Sequence, residues 1–172
     1  FWLMEIERRT KKPISHLFHI LAGTSTGAII SAGLACPLNS YTPKYTASDI
    51  IEIYRNGKEI FSRIKIPLPL RCKYHATGRL NAFTKHFGDL RLKDCLNDII
   101  VPAVKENERM KTFCFSSMDA RMDNSTNFKL VDVLMATSAA PTFFPAQFIE
   151  GEGMFLDGGV HANNPAQLAY EA

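Results

Sequence analysis

Apolar positions along the chain change period several times, and each change marks an element. Trp2, Leu3, Met4 and Ile6 set an apolar face against Glu5, Glu7, Arg8 and Arg9, which predicts an amphipathic helix over residues 2–9. From Pro13 to Pro43 there is no Lys, Arg, Asp or Glu, and residues 17–38 are largely apolar. About 20 apolar residues can cross a bilayer. Here Gly23, Gly27, Gly33 and Pro37 interrupt the run, and Thr24, Ser25, Thr26 and Ser31 occupy its middle. The pattern instead predicts a buried strand over 17–22, a tight turn, and a buried helix over 26–35, as in sheets covered on both faces.

Further along, Thr46 is placed to cap a helix with Asp49 at its third position and Ile50, Ile51, Ile53 and Tyr54 turned inward. Pro67 and Pro69 bar a regular helix from residues 61–74. Leu80, Phe83 and Phe87 predict a short helix stopped by Gly88, and residues 92–99 predict another. Strands are expected over 100–104 and 112–116, a helix over 130–139 ended by Pro141, and a hairpin from Phe148-Ile149 and Met154-Phe155-Leu156. Strands alternating with helices point to a layered α/β domain. Residue 1 is Phe and 167–172 are helix formers without a cap, so a single domain over 1–172, cut at both ends, is the expectation.

Composition narrows the function classes. The 172 residues are 46% hydrophobic and 22% charged, which excludes collagen-like, disordered and coiled-coil chains. A formal net charge of +3 is too small for a dedicated nucleic-acid binder. The charge is unevenly spread: residues 55–93 carry ten Lys and Arg against only Glu59 and Asp89. Interleaved Ile64, Ile66, Leu68 and Leu70 give this segment the makings of a contact with an anionic membrane surface, each charge worth about 1 kcal/mol there. A merely solvated insertion has the same composition. Cys36, Cys72, Cys95 and Cys114 form no C-x-x-C pair and no zinc spacing, so free thiols in a reducing, cytoplasmic setting are expected, with no metal.

The chemistry concentrates at two places. Gly23-Thr24-Ser25-Thr26-Gly27 is a G-x-S-x-G run between the predicted strand and helix. At such a turn a serine is held in a strained conformation with its hydroxyl clear of the sheet, and small residues two before and two after let strand and helix close up. An inert glycine-rich turn is the alternative. A nucleophilic serine needs a base, because its hydroxyl is unreactive at neutral pH. Asp157 follows the apolar Met154-Phe155-Leu156 and precedes Gly158-Gly159, which puts a carboxylate at a strand end. Asp-Gly is also an ordinary turn former. His161 is a rival base, since Ser25, Asp157 and His161 follow a known triad order. Four residues of separation would crowd Asp157 and His161 into one loop.

The motifs together resemble the patatin-like phospholipases. The resemblance rests on Ala22-Gly23-Thr24-Ser25-Thr26-Gly27-Ala28, on Ala136-Thr137-Ser138-Ala139-Ala140-Pro141-Thr142-Phe143-Phe144-Pro145, and on Leu156-Asp157-Gly158-Gly159-Val160 with Asn163-Asn164-Pro165. Tyr45-Thr46-Ala47 through Asn56-Gly57-Lys58-Glu59-Ile60-Phe61 adds to it. The resemblance implies a three-layer α/β/α fold with a mostly parallel central sheet, here without its first strand and C-terminal part. It implies a lipid acyl hydrolase with Ser25 as nucleophile, Asp157 as base, an acyl-enzyme intermediate, and no cofactor or calcium. Gly23, Thr26 and Gly27 would shape the elbow and oxyanion site, while Gly158, Gly159, Asn163 and Asn164 would hold the Asp157 loop, the asparagine amides bonding local backbone. The implied partner is a phospholipid or other acyl lipid. The family's early D-G-G-G-x-R-G loop, an oxyanion donor, would fall upstream of Phe1, which keeps open a second reading: an inactive lipid- or partner-binding fragment.

Overall fold

The segment Asp98–Lys105, β2, organises the molecule: its six central residues are all buried. The computed structural model describes residues 1–57, 72–106 and 110–172. Within them β1 (Ile20–Ala22) runs parallel to β2, β3 (Lys111–Ser116) and β5 (Gly153–Asp157) run antiparallel to it, and β4 (Gln147–Ile149) pairs with β5. Helices α1 (Trp2–Thr10), α2 (Thr26–Ala35), α3 (Ala47–Arg55), α4 (Ala76–Phe87), α5 (Ser117–Met122), α6 (Leu130–Thr137) and α7 (Ala166–Glu171) complete the three-layer α/β/α arrangement. Parallel pairing is carried by the β1 and β2 ladder. The five residues between β2 and β3, and the three between β4 and β5, are too few for a crossover, so those ladders are antiparallel.

The registers along β2 matter for everything that follows. β1 pairs with residues 98–100 and β5 with residues 103–105, while β3 pairs with 100–105. Residues 100 and 103–105 therefore each have β3 on one edge, so β1 and β5 share the other edge. They approach from opposite ends and stop head to head, leaving Val101 and Pro102 between them. The last bond from β1's side runs from the Gly23 N–H to the Ile100 carbonyl. Pro102 faces the same edge as Ile100. Its missing N–H thus falls where no strand asks for a donor, which is why proline is tolerated inside a central strand.

Both faces of β2 are covered. Ile99, Val101 and Ala103 join α2, α4 and α6 in the main core, to which Phe115 and Phe155 belong and against which Phe113 and Phe128 pack. Ile100 and Val104, on the opposite face, are also fully buried. A second, smaller core forms where Ile14, Leu34, Ala47 and Ile50 meet Leu3, Met4 and Ile6 of α1. Glu7 ties this unit together, accepting from the Ile14 and Ala47 N–H groups at 3.0 and 2.9 Å.

Several expectations need correction. The strand expected over 17–22 is shortened to Ile20–Ala22, because a 3-10 turn over Ile14–His16 draws Leu17 and Phe18 back onto the Ile14 carbonyl. No helix forms over 92–99: Leu92–Asp94 is one 3-10 turn, after which pairing with β1 pulls the chain into β2. α4 is rotated from its predicted face, burying Arg79, Phe83 and Phe87 while Leu80 stays exposed. On α3, Ile50 is buried but Tyr54 is exposed. Trp2 likewise points outward. α5, capped by Ser116, had no apolar period to announce it. Of the basic segment over 55–93, residues 58–71, which carry the interleaved Ile64, Ile66, Leu68 and Leu70, lie outside the described residues.

The capping box expected at α3 is present: Thr46 Oγ1 accepts from the Asp49 N–H at 3.2 Å and Asp49 Oδ2 accepts from the Thr46 N–H at 2.8 Å. Thr46→Ala is expected to lose about 0.5–2 kcal/mol of stability. Urea denaturation checks this, and an unchanged midpoint would contradict it.

Candidate active site

The gap on the edge of β2 is where the two motifs meet. Ser25 is the N-cap of α2 and has φ 53° and ψ −117°, a conformation costing about 1–3 kcal/mol for a non-glycine residue. The chain is forced into it by the short passage from β1 to α2, closed by bonds from the Gly27 N–H to the Thr24 carbonyl and from Ala28 N–H to the Ser25 carbonyl. From the opposite side, β5 ends at Asp157, and a 3-10 turn over Gly158–Val160 follows. Ser25 Oγ donates to Asp157 Oδ2 at 2.6 Å, across 132 positions of sequence.

The side-chain oxygens of Asp157, Thr137 and Thr24 at this junction are all matched. Asp157 is 6% exposed, and its other oxygen, Oδ1, accepts from the Gly159 N–H at 2.7 Å. Its own N–H donates to the Ala139 carbonyl, fixing β5 to the end of α6. Thr137, fully buried on α6, fills the space between the two strand ends: its Oγ1 donates to the Pro102 carbonyl at 2.7 Å and accepts from the Ser25 N–H at 3.0 Å. One hydroxyl thereby serves a carbonyl that no strand pairs and an amide displaced by the positive φ. Thr24 Oγ1 donates to the Ala162 carbonyl at 2.7 Å, binding the elbow to the loop after Asp157.

The glycines divide by what surrounds them. A Cβ on Gly23 would stand 2.2 Å from the Gly27 carbonyl oxygen, and one on Gly158 would stand 2.2 Å from that of Pro102. Gly159 is tight against Asp157 Oδ1 at 3.0 Å. Gly27 departs from expectation, since a Cβ there meets nothing within 4 Å. The turn closes on Gly23 through the Gly27 backbone, so only the first glycine has to lack a side chain. Thr26 begins α2, its N–H has no partner one turn back, and its carbonyl accepts from the Tyr54 hydroxyl at 3.0 Å. Asn164 Oδ1 accepts from the Ala166 N–H at 3.1 Å, a local backbone bond of the expected kind; Asn163 makes none among the described residues. His161 is exposed, and its ring bonds neither Ser25 nor Asp157.

A cavity of about 370 Å³ opens onto this pair. Its walls are mainly apolar, from Ile29, Phe83, Phe143 and Phe144, with Ser138 and Arg79 as further polar groups. A narrower apolar recess of about 40 Å³ between α2, α3 and α4 shares Ile29, Tyr54 and Phe83 with it. Arg79 was read from sequence only as one charge of the basic segment. Burial draws its pKa down to about 10, with the negative charge of Asp157 acting the other way, so it stays cationic at neutral pH. Its spacing from Phe83 and Phe87, four and eight residues, was the available signal. Elsewhere, burial pushes the Cys95 thiol up to about 12 and the Cys114 thiol up to about 11, which makes both poor nucleophiles. Among the described residues no three His, Cys, Asp or Glu side chains gather to hold a metal ion, and no helix is long and apolar enough to cross a membrane.

Gly23→Ala and Gly158→Ala are each expected to lose about 1–3 kcal/mol or more through backbone clash, whereas Gly27→Ala gains up to about 1 kcal/mol. Thermal unfolding of the three variants separates these outcomes. A Gly158→Ala protein as stable as the parent would contradict the close approach to Pro102.

The chain has relatives among known proteins. Residues 3–170 match the family model for patatin-like phospholipase. Patatin-like protein 4 of Arabidopsis thaliana is 32% identical over 99% of this chain and 45% of its own length. Patatin-like protein 1 of Oryza sativa subsp. indica is 33% identical over 91% of this chain and 41% of its own. A cGAMP-activated phospholipase of Pseudomonas aeruginosa is 29% identical over 95% of this chain and 48% of its own. The chain thus spans about half the length of the curated relatives it matches. With nearly every residue inside the family model, the chain belongs to the patatin-like phospholipase family.

Proposed function

We propose that this chain carries the catalytic centre of a lipid acyl hydrolase that cleaves carboxylic esters of phospholipids or related acyl lipids through a Ser25–Asp157 dyad. The observation that carries the reading is the 2.6 Å bond from Ser25 Oγ to Asp157 Oδ2 at the mouth of an apolar cavity. Ser25 Oγ attacks the ester carbonyl carbon while its proton passes to Asp157. The tetrahedral intermediate collapses as Asp157 returns that proton to the departing alcohol oxygen, leaving an acyl-serine. Water then gives a proton to Asp157 and attacks the acyl carbon, and Asp157 returns that proton to Ser25 Oγ as it departs, freeing the fatty acid and restoring the serine.

The surroundings support those steps. The strained backbone of Ser25 keeps its hydroxyl out of the strand and next to the carboxylate. The Gly159 N–H holds Asp157 by its other oxygen, so the one facing Ser25 is aimed rather than free to rotate. The Thr26 N–H, at the positive end of α2, is a donor for the oxyanion. Ile29, Phe83 and Phe143 suit an acyl chain. The relative from Pseudomonas aeruginosa that is named as a phospholipase agrees with a lipid substrate. Lys73, its ammonium 5.5 Å from the ring of the half-exposed Phe143, offers an anionic membrane surface one charge and one apolar group beside the cavity.

A fluorophosphonate is expected to label Ser25, with Asp157→Asn lowering ester turnover by about 10²–10⁴-fold and His161→Ala changing little. Mass spectrometry of the labelled serine and hydrolysis of a phospholipid check this. Loss with His161→Ala and survival with Asp157→Asn would move the base to the histidine. Lipid binding with no fatty acid released by the intact protein would favour the binding-domain reading.

A further inference from the structure

The buried guanidinium of Arg79 is held at one corner only. Nη1 donates to Ser138 Oγ at 2.7 Å and to the Met135 carbonyl at 3.3 Å, which pins α4 to the end of α6. Nε and Nη2 are buried as well, and neither has an acceptor among the described residues. These two nitrogens make up one side of the planar fork, the side whose parallel N–H groups grip two oxygens of a carboxylate or phosphate. Asp157 is near enough to stabilise the charge, yet its oxygens are engaged by Ser25 and Gly159. A cation 98% removed from solvent keeps a whole bidentate edge without a partner among the described residues, at the wall of the cavity that contains Ser25.

We propose that this edge of Arg79 receives the phosphodiester of the bound lipid, making Arg79 the residue that selects phosphate-bearing acyl lipids over neutral acylglycerols. The proposal rests on the lipid acyl hydrolase reading and deepens it. The cavity walls are mainly apolar, which favours an anion that arrives as part of an amphiphile. The carboxylate of a released fatty acid is the wrong anion: it forms at the carbon attacked by Ser25, beside the like charge of Asp157. A phosphodiester lies a few bonds away along the glycerol, displaced from the dyad. Phe144 covers one face of the guanidinium, its ring centroid 4.0 Å from the central carbon. Since Nε and Nη2 are closed to water, ligand entry is accompanied by a shift of side chains in that wall.

The test is equilibrium binding to the intact protein carrying Ser25→Ala, so that turnover plays no part. Dodecylphosphocholine and dodecyl maltoside, both below their micellar concentrations, are titrated calorimetrically. With Arg79 present, the phosphodiester amphiphile is expected to bind at least about tenfold tighter than the maltoside. Adding Arg79→Met is expected to weaken dodecylphosphocholine roughly 10–100-fold while the maltoside changes by less than about threefold. Equal affinities for the two amphiphiles overturn the proposal even if Arg79→Met does not fold. Equal weakening of both marks Arg79 as a strut between α4 and α6, and also overturns it. Hydrolysis by the protein with Ser25 intact is a separate readout: its failure sinks the hydrolase reading, not the phosphate site.

Discussion

Two strands ending head to head on one edge of a third is the constraint on which the rest of this structure depends. β1 and β5 enter the same edge of β2 from opposite ends, and neither reaches Pro102. Each strand end is followed by a tight turn, so the N-cap residue of α2, three positions past β1, and the last residue of β5 are driven into contact. Those residues are Ser25 and Asp157. Had the two strands lain on different edges, the serine and the carboxylate would stand a strand's width or more apart, beyond any hydrogen bond.

Such a junction strands backbone groups, and their satisfaction explains residues that otherwise look incidental. Pro102 removes a donor that would have no acceptor, and Thr137 caps the carbonyl left over while taking the Ser25 N–H. An unpaired buried donor or acceptor costs about 1–3 kcal/mol, comparable to the strain stored at Ser25. The single Thr137 hydroxyl therefore offsets much of what the geometry demands. Gly23 and Gly158 are required for a simpler reason: the backbone passes where a Cβ would be. Burial then turns polarity into function. Asp157 and Arg79 are almost wholly buried, which strengthens every interaction made there and penalises every one left unmade.

Much of this was legible in the sequence because local chemistry and global fold agree. The α2 helix, the α3 capping box and the β4–β5 hairpin were written in apolar period, cap residues and turn residues, and tertiary contacts left them in place. The pairing of Ser25 with Asp157 was legible only through motifs, since no local rule brings together positions 132 apart. What was hidden is instructive. Residues 92–99 have a helical pattern, but β2 gains more by pairing on both edges than a short isolated helix gains from propensity. Arg79 was hidden because a lone cation in a basic stretch reads as surface, and only the packing of α4 onto α6 reverses that. Gly27 erred in the other direction, its motif position suggesting crowding that the backbone path does not impose.

The fold thus supplies a strained serine, a carboxylate aimed at it, and a mainly apolar chamber walled in part by Arg79, two of whose nitrogens have no acceptor among the described residues. The first two follow from how β2 is shared, and the third from the packing of α4 onto the end of α6. A crystal structure at atomic resolution of the full-length protein tests that most directly. The account predicts Ser25 Oγ and Asp157 Oδ2 at about 2.6 Å, with the Gly158 backbone against the Pro102 carbonyl. Oxygens more than about 4 Å apart, past any hydrogen bond, or β1 and β5 on different edges of β2, would contradict it.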